Sequence, residues 1–211
     1  MLKNKGSNGF KSLSAIAVPI EIPNCDTDQI IPARFLRQPI TDPNYRKVLF
    51  HDLRFNQDGS ETDFVFNHFS FKNGKIFVSD INWGCGSSRE NAVMALKANH
   101  ICVVIAPSFG DIHYNNCIKN GILPIRLSSV ICKILRDQLW QSPGAKIQVN
   151  LEKQFLISPN KKMYEFNIDS LDKYRLINNF NDLDLTEEFT KEIINFTEIY
   201  GQRHRWASIT D

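Results

Sequence analysis

The middle of the chain constrains the fold most, because short apolar runs alternate there with segments of helical pattern. Residues 75–81, 101–106 and 122–127 are largely apolar runs of strand length. Between them, residues 88–99 place apolar side chains at helical spacing, and residues 108–119 form a shorter helical segment that stops at an Asn-Gly pair. A strand that is apolar throughout is buried on both faces, as in parallel sheets. The pattern predicts a β-α-β-α-β unit with parallel strands.

The flanking segments predict a mixed architecture around this unit. The further predicted elements are a strand at residues 15–22, a helix at 128–140 and short antiparallel strands at 146–151, 154–158 and 163–168. Residues 37–71 lack a regular period and contain many turn residues, which predicts long surface loops. Asp184 and Glu187 are spaced as a capping box, and an amphipathic helix is expected from Asp184 to about Tyr200.

Composition indicates a globular chain without a strongly charged surface. We expect one domain over residues 1–211, with 1–14 as a flexible N-terminus and 184–211 as a helix and tail; 42% of the residues are hydrophobic. The net charge of +2 provides no large charge asymmetry to attract nucleic acid or a membrane surface, so neither is expected as a partner. The five cysteines are odd in number and lack C-x-x-C spacing, which favours a reducing, cytoplasmic setting.

The most informative motif is the turn at residues 84–90, Gly-Cys-Gly-Ser-Ser-Arg-Glu. It follows a predicted strand and starts a predicted helix, so backbone N–H groups and the positive end of the helix dipole are available to an anion. Ser87, Ser88 and Arg89 add two hydroxyls and a guanidinium fork suited to a carboxylate. The residues alone leave open an alternative, in which Ser87 only caps the helix and Glu90 completes a capping box.

Two nucleotide-binding motifs do not fit this turn. The dinucleotide fingerprint requires a third glycine where Arg89 stands, and the phosphate-binding loop requires a lysine before a serine. A second polar segment, residues 26–36, begins with Asp26, Thr27 and Asp28 and contains Arg34. By itself this segment is typical of a loop turn, and Arg34 and the nearby Arg37 are equally consistent with surface charges.

Four stretches together resemble the small subunits of bacterial isopropylmalate dehydratase, the detached swivelling domain of the aconitase superfamily. The stretches are residues 24–36, 84–90, 103–111 and 115–124, and they occur in the family's order and spacing. The resemblance implies an α/β fold, namely a swivelling β/β/α three-layer domain with a mixed sheet and a C-terminal helical extension. Two departures are Asn91, where the family usually has histidine, and an unusual ending at residues 200–211.

The resemblance also assigns roles to residues of the two polar segments. In the aconitase family the first serine of the turn removes a carbon-bound proton, which implies Ser87 as the base and Asp28, beside it, as a second catalytic residue. It implies a substrate-binding set of Arg89, Ser88, Thr27, and Arg34 or Arg37. No metal ligand is implied for this chain.

The expected partner follows from the cofactor of the family. Removal of a hydroxyl requires a Lewis acid, which in this family is a [4Fe-4S] cluster held by three cysteines, two of them in C-x-x-C. This chain has no such pair, so the resemblance implies a cluster on a large subunit and an active site completed by both chains. The implied reaction is interconversion of 2-isopropylmalate and 3-isopropylmalate in leucine biosynthesis, without nicotinamide or nucleotide.

Three alternatives remain open on the sequence. A sister small subunit would use the same serine and arginine on homoaconitate, citraconate or another hydroxy diacid. Apolar residues within 35–50 suit an isopropyl group, whereas Arg37, Arg46 and Lys47 keep a more highly charged substrate in consideration. A regulatory RNA-binding relative and a scaffold that only stabilises the large subunit are the other two.

Overall fold

The computed structural model describes residues 9–204 and 206. The chain divides into two compact units, Met1–Asn179 and Phe180–Asp211. The expectation of one domain over the whole chain stays a prediction. Residues 1–8 of the expected flexible N-terminus and 207–211 of the expected tail, like residue 205, lie outside the described residues. Within the described part of the chain, no helix is both long and apolar enough to cross a membrane.

The first unit is built on a mixed seven-stranded sheet with the strand order β4-β3-β2-β1-β5-β6-β7. The strands are β1 Ser12–Pro19, β2 Ile76–Val78, β3 Val103–Ala106, β4 Leu123–Arg126, β5 Lys146–Asn150, β6 Phe155–Ile157 and β7 Met163–Glu165. Neighbours among β1 to β4 are parallel, whereas β1–β5, β5–β6 and β6–β7 pair antiparallel. The predicted mixed α/β architecture is confirmed.

Helices connect these strands. They are α1 Thr27–Ile30, α2 His51–Arg54, α3 Glu90–Ala98, α4 Asp111–Lys119, α5 Ser129–Gln141 and α6 Ser170–Asn178. Helix α6 is absent from the prediction, although the Asp169 side chain caps it by accepting from the Leu171 and Asp172 N–H groups. Strand β1 begins three residues before its predicted start, so residues 12–14 of the expected flexible segment belong to the sheet.

The core lies on both faces of the sheet, as the apolar strands predict. In β2, Phe77 belongs to one buried cluster, while Ile76 and Val78 belong to the other. Val104 and its neighbours Val103 and Ile105 alternate in the same way in β3. Because successive side chains of a strand point to opposite faces, both faces of these strands are covered.

The expectation of surface loops at residues 37–71 is wrong for its middle part. Tyr45, Val48, Leu49 and Phe50 are at most 1% exposed and belong to the core cluster on the Phe77 face of the sheet. The segment folds into the 3-10 turns Tyr45–Val48 and Val65–Asn67 and the single-turn helix α2. Its apolar residues have no helical or strand period because each short turn packs separately.

The second unit contains two helices, α7 Asp182–Glu188 and α8 Thr190–Arg203, in place of the single predicted helix. The predicted capping box at Asp184 and Glu187 is wrong, because Asn181 caps α7 and pairs reciprocally with Asp184. Phe189 lies between the helices and ends the first of them. Neither helix contains a buried residue.

Candidate active site

The turn that follows strand β2, residues 84–89, is fixed by backbone hydrogen bonds and is called the serine turn here. Gly84 has φ +69° and Gly86 has φ +88°, left-handed values that glycine adopts without strain. The Gly84 N–H donates to the Cys25 carbonyl at 2.7 Å, and the Thr27 N–H donates to the Cys85 carbonyl at 3.0 Å. These bonds join the two polar segments that the sequence singles out.

The two serines of the turn present free hydroxyls. Ser87 and Ser88 are exposed, and neither hydroxyl has a hydrogen-bond partner among the described residues. Helix α3 begins after them with Arg89 as its N-cap and without a side-chain cap. The alternative of a capping box between Ser87 and Glu90 is therefore wrong, and Glu90 instead accepts from Asn120 at 3.1 Å. The uncapped N–H groups of α3 remain available to an anion.

Contacts within the site hold Arg89 and the backbone of Ser87. The Arg89 guanidinium forms an ion pair with the Asp28 carboxylate, and the Arg89 side chain is 18% exposed. Thr27 is buried, and its hydroxyl donates to the Ser87 carbonyl at 2.8 Å. The catalytic role predicted for Asp28 and the substrate contact predicted for Thr27 stay predictions.

The two candidate arginines of the following loop differ in their partners. Arg34 donates from Nη1 to Asp52 Oδ2 at 2.9 Å, and this interaction lowers the pKa of the Asp52 carboxyl. Arg37 is exposed, and no described residue pairs with it. The loop is tied to the first turn of α3, because Asn91 Nδ2 donates to the Leu36 carbonyl at 3.2 Å. Arg37 is thus a cation without a partner among the described residues, directly after the Leu36 carbonyl that accepts this hydrogen bond.

A cavity of about 300 Å³ opens between the serine turn and the start of helix α4. It is lined by Thr27, Gly84, Cys85, Gly86, Ser87, Ser88, Arg89, Gly110, Asp111, Ile112 and His113. The structure thus brings four predicted site residues together: Thr27, Ser87, Ser88 and Arg89. Asp28 reaches them through Arg89, whereas Arg34 and Arg37 are not among the lining residues.

Sequence reasoning missed the second wall of this cavity, which the start of α4 forms. The Gly110 N–H donates to the Trp83 carbonyl at 2.9 Å, and a Cβ on Gly110 would lie 2.5 Å from the Gly84 carbonyl oxygen. Like α3, helix α4 has no side-chain cap, so a second set of N–H groups is uncapped beside the cavity. The available signal was a glycine directly before a helix, because glycine also marks close approaches of backbone.

His113 is the buried polar residue of this second wall. It is 3% exposed, and Trp83 Nε1 donates to its Nε2 at 3.2 Å. Burial lowers the pKa of His113 to about 4, so the imidazole is neutral at pH 7. Since Nε2 accepts, the ring proton is on Nδ1, which has no hydrogen-bond partner among the described residues.

A second cavity of about 290 Å³ lies near α4 and α6. It is lined by Ile112, Asn115, Asn116, Ile118, Lys119, Asp172 and Arg175. It contains ionic groups but none of the residues that the sequence predicts for catalysis. The cavity beside the serine turn, called the serine cavity, is therefore the candidate active site.

The described residues do not fit an iron-sulfur cluster. They include no group of three or more His, Cys, Asp or Glu side chains placed to hold a metal ion. Cys25, Cys117 and Cys132 are unpaired and buried, and burial raises the pKa of each thiol, to about 12 for Cys132. Thiols that stay protonated are poor metal ligands, because the thiolate is the binding form.

Known proteins are similar to this chain in both sequence and fold. The Aconitase C-terminal domain family matches residues 7–130. The chain is 43% identical to a 3-isopropylmalate dehydratase small subunit of Gluconobacter oxydans, over 89% of this chain and 90% of that protein. A subunit of the same name from Rhodopseudomonas palustris is 41% identical, over 94% and 98%. A crystal structure of 3-isopropylmalate dehydratase from Methanocaldococcus jannaschii has a TM-score of 0.61 and 26% identity, over 89% and 99%.

Proposed function

We propose, from the premise that this chain belongs to the family of 3-isopropylmalate dehydratase small subunits, that it is one half of a two-chain hydro-lyase of leucine biosynthesis. The reaction interconverts 2-isopropylmalate and 3-isopropylmalate by loss and re-addition of water. One observation carries the proposal: a free hydroxyl, a guanidinium and uncapped helix N–H groups surround the serine cavity. These groups can bind a carboxylate, and the alkoxide of Ser87 can accept a proton beside it.

In this proposal Ser87 removes the carbon-bound proton. A serine alkoxide is unfavourable in water and requires positive groups in a site that excludes water. Two features support this role: the Ser87 hydroxyl has no competing partner among the described residues, and Thr27 anchors the Ser87 carbonyl. The positive end of the α3 dipole favours the anion further.

Arg89 binds a substrate carboxylate in the same proposal, with Ser88 as a second donor. A guanidinium holds a carboxylate through two parallel hydrogen bonds, which fixes the orientation of the substrate. Asp28 supports Arg89 by its ion pair, which restricts the guanidinium before substrate arrives. The carbon next to a carboxylate held by Arg89 would then lie near the Ser87 hydroxyl.

Arg37 is the better candidate of the two loop arginines for a second substrate contact. Neither loop arginine lines the serine cavity, so each would have to move to reach the substrate. Arg37 can do so without breaking an ion pair, because no described residue pairs with it, whereas Arg34 would have to leave Asp52. The hydrogen bond from Asn91 to Leu36 brings the backbone beside Arg37 to the start of α3. We therefore assign Arg34 to holding the loop and Arg37 to the substrate.

A large subunit is required in this proposal because the walls of the serine cavity carry no net positive charge and Arg37 lies outside them. Its walls carry one cation, Arg89, and one anion, Asp111, whereas the substrate has two carboxylates. We propose that the large subunit adds cationic groups and the [4Fe-4S] cluster. Bound to the large subunit, such a cluster would supply Lewis-acid chemistry. The part of this chain is to bind the carboxylate, accept the proton and close the site against water.

We also infer a cytoplasmic location and no nucleic-acid partner. The five thiols are free, which suits a reducing compartment. The net charge of +2 offers little attraction for a polyanion. Tight, steeply salt-dependent retention of RNA by the chain would contradict the second inference.

The test is to combine this chain with a reconstituted iron-sulfur large subunit and follow the ultraviolet absorbance of the unsaturated intermediate from 2-isopropylmalate. We expect turnover only when both chains are present. Homoaconitate and citraconate are tested in parallel, since a clear preference for either would identify a sister enzyme. A stable two-chain complex without turnover of any of these acids would contradict the proposal.

A further inference from the structure

We propose that Trp83 and His113 form a polar pair that sets the position of the serine turn, so that both are positioning residues for Ser87. The inference rests on the proposed function, because it concerns proton removal by Ser87. The pair acts through the backbone of Gly84, which directly follows Trp83 and begins the turn. It requires no contact between either side chain and the substrate.

Trp83 is fully buried, and its indole N–H points toward His113. The indole packs edge-on to Phe50 and Phe77, with centroids 6.0 and 6.2 Å away. The backbone N–H of Trp83 donates to the Ser108 carbonyl at 3.0 Å. The indole Nε1–H has one acceptor among the described residues, the His113 Nε2.

The His113 ring lies directly against the first residue of the turn. A Cβ on Gly84 would lie 2.3 Å from the ring atoms Cγ and Cδ2 of His113, so only glycine leaves room for the ring. The His113 ring therefore limits how far the Gly84 backbone can move toward helix α4. A shift or rotation of His113 changes the surface on which the turn rests, and Ser87 lies three residues further along the chain.

Stability alone does not explain this pair. An apolar pair would fill this part of the core without any polar group to satisfy, whereas His113 buries an Nδ1–H that has no partner among the described residues. A buried unpaired donor is destabilising. A polar pair at such a disadvantage, placed behind the serine turn and with His113 in the wall of its cavity, points to a positioning role.

The expected behaviour of variants follows from the asymmetry of buried hydrogen bonds. Removing one partner leaves the other polar group unpaired, and the local backbone shifts to relieve it. Removing both partners leaves no unpaired polar group, so only the loss of buried volume at Trp83 opposes the apolar contact. Trp83→Phe and His113→Phe should therefore each displace the serine turn, while the double variant should restore much of its position.

The experiment uses the complete two-chain enzyme with these three variants. Ser158→Ala is the matched control, because Ser158 is also buried and its hydroxyl donates to the Lys162 carbonyl, near strands β6 and β7. For each protein kcat, KM and the thermal midpoint are measured. The kinetic isotope effect with substrate deuterated at the transferred position is also measured, because a purely structural change would not alter it.

We expect each single variant to lower kcat by about 10- to 100-fold, since a displacement of about 1 Å in a catalytic group has effects of this order. The isotope effect should rise in both, and the double variant should recover most of the kcat. Ser158→Ala should lower the thermal midpoint and leave kcat and the isotope effect unchanged. Single variants with wild-type kcat and isotope effect, whatever their stability, would overturn the inference. An inactive wild-type complex would instead contradict the proposed function.

Discussion

At the scale of single residues, Ser87 and Ser88 have the same side chain but differ in the hydrogen bonds that hold their backbone. The Thr27 hydroxyl anchors the Ser87 carbonyl, and no described side chain holds Ser88. We expect Ser87→Ala to lower the kcat of the complete enzyme by about 10²- to 10⁴-fold, the usual contribution of a general base. Steady-state rates with 2-isopropylmalate measure this, with Ser88→Ala as the matched control that mainly raises KM. Full turnover by Ser87→Ala would identify the chain as a scaffold.

The two loop arginines give a second prediction at this scale. Arg37→Ala should raise the KM for the diacid by about 10-fold, as expected when one charge-assisted contact to a carboxylate is lost. Arg34→Ala should leave KM nearly unchanged, because Arg34 lies outside the lining of the serine cavity and is bonded to Asp52. Initial rates over a range of substrate concentrations separate the two variants. A larger KM effect for Arg34→Ala would reverse the assignment.

The buried imidazole predicts how stability depends on pH. Burial lowers the pKa of His113 from 6.5 to about 4. As the pH falls below 6.5, the unfolded chain binds the proton first, so the free energy of unfolding falls until the folded state is also protonated near pH 4. Between pH 7.5 and 5 this loss is about 2 kcal/mol. His113→Gln keeps an acceptor for Trp83 but cannot titrate.

Urea unfolding of the free chain at the two pH values measures this contribution. The wild-type chain should lose about 2 kcal/mol more than His113→Gln over the interval. The comparison isolates His113, because every other titrating group is common to both proteins. Equal losses would mean that His113 keeps its ordinary pKa in the folded chain.

At the scale of elements, prediction succeeded where a single hydrophobic pattern, periodic or continuous, extends over a whole element. The strands around residues 76–78 and 103–106 are apolar throughout, and burial on both faces of a parallel sheet leaves that pattern in the sequence. Helix α6 escaped prediction because only Leu176 in it is buried, too little to produce an apolar stripe. The loop at 37–71 also escaped, because its buried residues pack through tertiary contacts that have no sequence period.

The contact between helix α4 and the serine turn gives a prediction at this scale. Gly110 has φ −63°, which suits any residue, so what opposes a side chain there is the nearby backbone of Gly84 and Cys85. Gly110→Ala should lower the free energy of unfolding by about 1–3 kcal/mol, as overpacking does, and should reduce kcat by separating the walls of the serine cavity.

Gly59→Ala is the control for this effect. Gly59 has φ +82° and nothing within 4 Å of an added Cβ, so the change should reduce stability by about 1 kcal/mol through backbone strain alone. We expect its kcat to stay at the wild-type value. Denaturant unfolding and steady-state rates of both variants give the comparison, and unchanged kcat in Gly110→Ala would show that the wall can move without consequence.

At the scale of the whole molecule, the sequence revealed half of the site. The serine turn and the segment at residues 26–36 each carry their chemistry in consecutive residues, so local motifs found them. The wall formed by Asp111 and His113 arises only because parallel strands β2 and β3 bring their C-terminal ends together, and a local motif does not record that meeting. Any wall contributed by a second chain is still further from what one sequence encodes.

The charge of the serine cavity leads to a prediction about the assembled enzyme. Its walls offer one cation, Arg89, which Asp28 already pairs, and one anion, Asp111, so a dianion gains little attraction from this chain alone. We expect the free small subunit to bind 2-isopropylmalate with a Kd above about 1 mM. That Kd corresponds to a binding free energy of about −4 kcal/mol. Calorimetric titration of the two-chain complex should give much tighter binding that weakens with salt. Asp111→Asn should strengthen binding by the free chain, because it removes the repelling carboxylate from the cavity. Equal affinity of the free chain and the complex would mean that this chain contains the complete substrate site, and the large subunit would then serve the reaction without contributing to substrate binding.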